Sequence, residues 1–311
     1  MKNHIHQLIA GKESKFPRFS FLFENNKRKK TGSIQENKND NEFLKNKVVI
    51  VTGASSGIGR AISLEMAKKG ANVILAARNE MKLQALMSEI NNKGGLAIAM
   101  PTDVSDENQC QELINNVIWA FGKIDVLINN AGISMRANFQ NVDLTVLKKL
   151  MDTNFWGTVY CTKYALPHIL GTGGSIIGIS SICGITPLPG RTGYAASKHA
   201  LDGFLGTLRI ETMEKNLHVM IVHPGFTTSN IRNVALNKDG IPQEESPLNE
   251  NKLMPAEKVA KEITLGILNK KREITLTTEG KLITWLYRRI PNVAEKLIYR
   301  EMKKETGSPI K

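Results

Sequence analysis

Seven short runs rich in β-branched residues, each followed by a stretch long enough for a helix or a turn, constrain the fold of this chain more than any other feature. Val48–Val51, Asn72–Ala76, Ala97–Met100, Val126–Ile128, Ser175–Ile179, Val219–Val222 and Ile274–Thr277 are mostly apolar throughout, as strands covered on both faces are. Between them, Gly57–Lys69, Glu80–Asn92, Asp106–Phe121, Leu144–Leu170, Thr192–Lys215 and Ala256–Asn269 carry amphipathic patterns of helical length. Such alternation predicts an α/β domain over residues 45–278, with one doubly wound parallel sheet of about seven strands and helices on both faces. Ligands of these sheets bind beyond the carboxyl ends of the strands. Residues that follow strands are therefore the ones to read for chemistry.

Composition narrows the function classes. The 311 residues hold 42 Lys+Arg against 29 Asp+Glu, a formal net charge of +13. That charge is spread along the chain with no zinc-finger, RNP or helix-turn-helix signature beside it, so nucleic acid is not an expected partner. No apolar run approaches the roughly 20 residues of a membrane span. Cys110, Cys161 and Cys183 lie far apart in sequence, with no CxxC pair or Cys/His cluster, and predict neither a metal site nor a disulfide scaffold. A reducing, cytoplasmic setting is the expectation. Residues 1–42 are rich in Asn and Lys, with nine Lys/Arg against five Asp/Glu, and read as a disordered extension dispensable for the fold. Within them Phe16, Phe19, Phe21, Leu22 and Phe23 form an aromatic cluster ahead of a basic run, which leaves a membrane-surface or partner-docking role open beside that of a loose tail.

The first strand runs into Thr52-Gly53-Ala54-Ser55-Ser56-Gly57-Ile58-Gly59. Glycines here let the backbone turn tightly, approach a pyrophosphate and open a helix whose free N–H groups face the phosphates. After the second strand stand Arg78 and Asn79, where an NAD enzyme usually carries an acid that accepts the ribose hydroxyls. A guanidinium instead forks onto a 2′-phosphate, so NADP(H) is expected over NAD(H), with Ser55, Asn79 or Arg60 helping. The plainer alternative makes Arg78 a solvated residue at the start of a helix. After the fifth strand comes Ser181, and Tyr194 and Lys198 follow at a spacing that shares one helix face. A lysine cation about 4–5 Å from a phenol, at an effective dielectric near 20, favours phenolate by about 3–4 kcal/mol. The pair thus predicts a Tyr194 drawn down toward working pH, as an acid–base group needs.

The TGxxxGxG turn, the interval from Ser181 to Tyr194 and the YxxxK pair together resemble the classical short-chain dehydrogenase/reductase family, over residues 45–278. Its 11β-hydroxysteroid-dehydrogenase-like branch and uncharacterised bacterial relatives resemble the whole chain most. The resemblance implies a Rossmann-type fold with Ser181, Tyr194, Lys198 and Asn154 as the catalytic set, Asn154 holding a water that links the lysine to solvent. Taken alone, Asn154 reads equally as a solvated or capping residue. The resemblance also implies that Asp103-Val104 meets the adenine, although Asp103 reads as a helix N-cap as well. Asn130-Ala131-Gly132, within an NNAG run, would let the backbone approach the cofactor. Pro224, Gly225, Thr227 and Ser229 would lie beside the nicotinamide, Ser229 replacing the usual Thr.

The aperiodic segment 226–254 suits a substrate lid. The segment Leu188-Pro189-Gly190-Arg191-Thr192, just before Tyr194, is expected to line the cavity, with Arg191 meeting an anionic group or simply facing solvent. Residues 279–311 form a basic amphipathic extension split by Pro291, suited to an anionic membrane surface, to the domain itself or to a second subunit. The resemblance implies a homo-oligomer, and peripheral contact with the inner membrane surface goes with the lipid reading. The expected activity is interconversion of a small-molecule carbonyl and alcohol by hydride transfer. An NADPH-binding redox sensor or scaffold without turnover competes, as does an extended-type sugar-nucleotide epimerase or dehydratase, whose usual TGxxGxxG turn and larger substrate domain are not found here.

Overall fold

The computed structural model describes residues 43–244, 246, 253–305 and 307–310. The N-terminal extension with its aromatic cluster lies outside them, as does part of the segment 226–254. Strands β1 (Val48–Thr52), β2 (Asn72–Ala77), β3 (Leu96–Pro101), β4 (Val126–Asn129), β5 (Ser175–Ile179), β6 (His218–His223) and β7 (Glu273–Thr275) form one sheet in the order β3-β2-β1-β4-β5-β6-β7. Every neighbouring pair is parallel, with Val51 level with Leu75 on one side and with Ile128 on the other. The chain winds outward in both directions from β1 and β4, which opens a crevice at their carboxyl ends.

The alternation of side chains along each strand explains the two layers. Val49, Val51, Val73 and Leu75 point to the face covered by α1 (Gly57–Lys68), α2 (Glu80–Asn92) and α7 (Ala256–Leu268), through Ile62, Met66, Leu83, Val259 and Ile263. Val48, Ile50, Ile74 and Leu127 point the other way, against α3 (Glu107–Phe121), α5 (Gly157–Thr172) and α6 (Thr192–Glu211), through Leu113, Ile114, Ala165, Leu201 and Leu205. Each large side chain so enclosed contributes about 1.5–3 kcal/mol relative to its exposed state. Cys110 and Cys161, distant in sequence, meet in this second layer at 3.6 Å as free, buried thiols.

Three elements differ from the sequence pattern. The single helix expected from Leu144 to Leu170 is α4 (Leu144–Met151), a π-helical turn over Asp152–Trp156, and α5. The wide turn inserts an extra residue without ending the helix and carries Asn154 wholly inside. Helix α6 stops at Glu211, and Met213–Lys215 forms a 3₁₀ turn closed by Asn216 at φ 52°. Strand β7 ends before Thr277, which sits at φ 63° and caps the next helix by accepting from the Gly280 N–H.

That helix, α8 (Thr278–Arg289), is followed by α9 (Pro291–Lys304), with Pro291 at the break the sequence indicates. Ala294, Ile298 and Met302 of α9 are buried with Ile283, Leu286 and Leu188, so the extension packs on its own chain. Arg136 pairs with Glu305 at 3.4 Å, and Gly190 abuts Pro309. The opposite face keeps Leu282, Trp285, Ile290, Val293 and Leu297 exposed beside its cations. Among the described residues no helix is long and apolar enough to cross a membrane. The two-faced packing predicts that Ile298→Ala costs about 2–4 kcal/mol of unfolding free energy whereas Leu297→Ala, its outward neighbour, costs less than about 1 kcal/mol. Denaturant unfolding of both variants measures this, and equal costs would contradict the packing described.

Candidate active site

One cleft of about 500 Å³ runs along the carboxyl ends of the central strands, from Arg78 and Asp103 at one end to Tyr194 and Leu188 at the other. Apart from Arg60, the residues expected to touch a cofactor line it: Gly53, Ser55, Ser56, Gly57, Ile58, Gly59, Arg78, Asn79, Asp103, Val104, Asn130, Ala131, Gly132, Tyr194, Lys198, Pro224, Gly225, Thr227 and Ser229. Ser181 lines it too, whereas Asn154 lies behind the wall.

At the nucleotide end, Gly53 turns the chain at φ 65°, and a Cβ there would stand 2.8 Å from the Ala131 Cα. The Ser56 side chain makes no capping hydrogen bond to α1, so the N–H groups of the first turn face the cleft. The Thr52 hydroxyl accepts from the Asn130 and Ala131 N–H groups, both at 3.0 Å, and Asn130 Nδ2 donates to the Thr52 carbonyl at 2.9 Å. These bonds tie β1 to β4 where the crevice opens. The glycine turn, the uncapped helix and the long cleft fit a nicotinamide dinucleotide.

The Arg78 end of the cleft holds a different second cation from the one the sequence suggests. Arg78 is largely exposed, 3.9 Å from the Asp103 carboxylate, and Lys82 lines the cleft beside it. Asn79 accepts from the Lys82 N–H, which places Lys82 one turn into α2; that capping pattern is the signal that would have found it. Arg60 does not contribute, because it is ion-paired with Glu89. Asp103 is not the helix cap either: Asp106 caps α3, and Asp103 accepts from the Ser105 N–H and hydroxyl at 3.0 and 2.7 Å.

At the other end Ser181 accepts from the Cys183 N–H at 3.1 Å, which fixes its hydroxyl at the start of the 3₁₀ turn Ile182–Gly184. Tyr194 and Lys198 stand one turn apart on α6, both buried, the Lys198 Nζ 5.8 Å from the Tyr194 ring centre. Their electrostatics differ from the expectation. Burial pushes the Tyr194 phenol up, the neighbouring Cys183 adds to this, and Ser181, Arg191 and Arg232 oppose it. Lys198 donates to the Ile179 carbonyl at 2.8 Å, and burial draws its ammonium down to about 8 against the pull of Asp202 and Cys183. Enclosure outweighs attraction between the pair, so the phenol of the cofactor-free chain keeps its proton at neutral pH.

Asn154 has both ends of its amide engaged. Its Oδ1 accepts from the Ile133 N–H at 2.8 Å, and its Nδ2 donates to the Ile133 carbonyl at 3.0 Å and the Ser197 hydroxyl at 2.9 Å. It joins the loop after β4 to α6. A Cβ on Gly132 would lie 3.2 Å from Asn154 Oδ1 and 3.5 Å from Lys198 Nζ, so a side chain there would crowd the Asn154 amide. Arg191, for which solvent exposure was one expectation, is buried on the cleft wall and donates to the Met135 carbonyl at 3.4 Å. Arg232 is a second buried cation there; it lies in the aperiodic segment, where no sequence pattern marks it.

Comparison with known proteins agrees with this geometry. Residues 47–239 match the family description of the short chain dehydrogenases. Over 192 residues the chain is 40% identical to the 11-beta-hydroxysteroid dehydrogenase-like 2 protein of Arabidopsis thaliana, across 61% of this chain and 62% of that protein. It thus spans less than two thirds of that relative's length. It is 32% identical over 264 residues to the uncharacterized oxidoreductase YxnA of Bacillus subtilis (strain 168), across 83% of this chain and 73% of that protein. A solved short chain dehydrogenase/reductase of Burkholderia phymatum, in complex with NAD, shares the fold with a TM-score of 0.72 at 24% identity, covering 80% of this chain and 95% of that one. By its sequence match and its sheet, the chain belongs to the short-chain dehydrogenase family, in the 11-beta-hydroxysteroid-dehydrogenase-like branch.

Proposed function

We propose that the protein reduces a carbonyl compound with NADPH, and catalyses the reverse oxidation, with Tyr194 as the proton-transferring group. The observation that carries this reading is the convergence of Ser181, Tyr194 and Lys198 at one end of a cleft whose other end is a glycine turn on an uncapped helix. The first-turn N–H groups of α1 would hold the diphosphate, Arg78, Asn79 and Lys82 a 2′-phosphate, Asp103-Val104 the adenine, and Lys198 with Gly132 the nicotinamide ribose. When bound, the reduced nicotinamide supplies a hydride to the carbonyl carbon.

The chain's own groups handle the oxygen and the proton. Tyr194, held protonated by its enclosure, donates to the developing alkoxide. Ser181, anchored by its bond from Cys183, donates to the same oxygen as negative charge builds on it. Lys198 keeps a positive charge beside the phenol and favours the phenolate left after transfer. Asn154 holds the Ile133 backbone and, through Ser197, the turn of α6 that carries Tyr194 and Lys198. In the oxidative direction the phenolate accepts the alcohol proton.

Tyr194→Phe is expected to bind NADPH as the parent does, by fluorescence titration, while losing about 10²–10⁴-fold in turnover; undiminished turnover would refute the assignment. The parent's carbonyl reduction should hold through neutral pH and fall as pH passes about 8, where Lys198 loses its charge. Alcohol oxidation should instead climb with pH, because the buried phenol must first lose its proton. Initial rates in both directions test this, and parallel pH profiles would contradict it.

Cofactor choice rests on the cations at the ribose end. Arg78→Asp is expected to weaken NADPH binding about ten- to a hundredfold and to turn preference toward NADH. The ratio of kcat/KM for the two cofactors before and after the change is the measurement. A parent enzyme that already prefers NADH would overturn the NADP(H) reading.

The outward faces of α8 and α9 suit an anionic membrane surface, with Leu282, Trp285, Ile290, Val293 and Leu297 ringed by Lys281, Arg288, Arg289, Lys296 and Arg300. Co-sedimentation with anionic but not neutral liposomes is expected, lost in Trp285→Asp. A homodimer built on this face is the competing outcome, and a concentration-dependent sedimentation profile without lipid would reveal it.

A further inference from the structure

We propose that the substrate carries a carboxylate besides its carbonyl or alcohol, and that Arg191 is the residue that recognises it. The inference rests on the oxidoreductase reading above and deepens it by naming a substrate class.

Arg191 sits at the start of α6, three residues and about one turn before Tyr194. Its residue surface is only 6% exposed, yet it forms part of the wall of the cleft. A guanidinium enclosed to that degree is ordinarily matched with a carboxylate, because removing the charge from water is costly. Among the described residues Arg191 forms no ion pair, and its hydrogen bond to the Met135 carbonyl is long, at 3.4 Å. A guanidinium has five N–H donors in a fixed fork, so most of its donor capacity is not taken up by that bond.

The surroundings point the same way. The substrate end of the cleft is lined by Lys198, Arg191 and Arg232, with apolar walls from Leu188, Ile231 and Val234. Arg232 is itself 7% exposed and donates to the Thr227 carbonyl at 2.7 Å, so its guanidinium is engaged by its own segment and Arg191 is the one placed for a ligand. Among the described residues that line the cleft the acid is Asp103, at the far end beside Arg78. Arg191 and Arg232 lie close enough to Tyr194 to act on its phenol. A neutral ketone offers the Arg191 fork no anionic partner. A carboxylate pairs with the Arg191 fork through two charge-assisted hydrogen bonds and places the carbonyl against Tyr194 and Ser181. The singly charged, planar anion matches a single fork.

The test uses the full chain and a series of oxo acids of increasing chain length, each with its methyl ester. For the parent with NADPH, at least one acid should exceed its ester in kcat/KM by about tenfold or more. Arg191→Gln should lower that acid-to-ester ratio by a similar factor, and Arg191→Lys, which keeps the charge but not the fork, should lie between. Melting of the NADP⁺-loaded enzyme reads the same site without turnover: the preferred acid should raise the parent's melting temperature and leave that of Arg191→Gln unmoved. Esters or neutral steroid ketones turned over as well as every acid would overturn the proposal while leaving the reductase reading intact. Absence of turnover on all compounds would count against the reductase reading, and the melting measurement would still decide on the carboxylate: no shift with any acid overturns it. Should Arg191→Gln fail to fold, the parent's ratio and that of Arg191→Lys carry the decision.

Discussion

A parallel sheet sealed by helices on both faces has nowhere to place polar chemistry except at the ends of its strands. Here that restriction acts through one hydroxyl. Thr52 closes β1 by accepting from the Asn130 and Ala131 N–H groups, so the loops after β1 and β4 share a fixed origin. From that origin the glycine turn faces one way and the Gly132–Ser134 loop the other. The cleft is the gap left between them. Asn154 extends the same tie to α6 through Ile133 and Ser197, and the positions of Tyr194 and Lys198 follow from it.

Within that frame, enclosure outweighs pairwise attraction. The YxxxK spacing puts a cation near a phenol, and in water-like surroundings the pair would be read as lysine lowering tyrosine. In the folded chain both groups are buried, Lys198 is turned to the Ile179 carbonyl, and each group is pushed toward its neutral form. Burial therefore holds the phenol toward its protonated form and the ammonium toward its neutral one. The positive charge around the phenol comes as much from Arg191 and Arg232, one of them in a segment without any recognisable pattern.

Strand and helix alternation, and the side chains set at strand ends, were legible because they depend on local periodicity and on backbone demands confined to a few residues. The expected cofactor-lining residues other than Arg60 gather around one cleft for that reason. Properties that depend on distant partners were not legible. The π turn at Asp152–Trp156 carries Asn154 between the loop after β4 and α6, and the pattern of α4 into α5 gives no sign of it. Arg60, read as a helper at the phosphate, faces Glu89, and Arg191, for which solvent was one reading, is enclosed. Cys110 and Cys161 are 51 residues apart in the chain and touch only because α3 and α5 lie side by side. The last extension read as amphipathic without saying which of its apolar residues would face inward.

Leu188 belongs to two packing groups at once, the one that encloses Tyr194 and the one formed by α9. Gly190 of the same loop abuts Pro309, and Arg136, on the neighbouring loop after β4, pairs with Glu305. The tail is therefore not an appendage that can be exchanged freely among relatives. A chimera that borrows a different ending inherits a mismatched partner for Leu188 and transmits that mismatch to the wall around the phenol. Sequence divergence in the tail and in residues 186–191 should accordingly proceed in concert, even though more than a hundred residues of chain separate them.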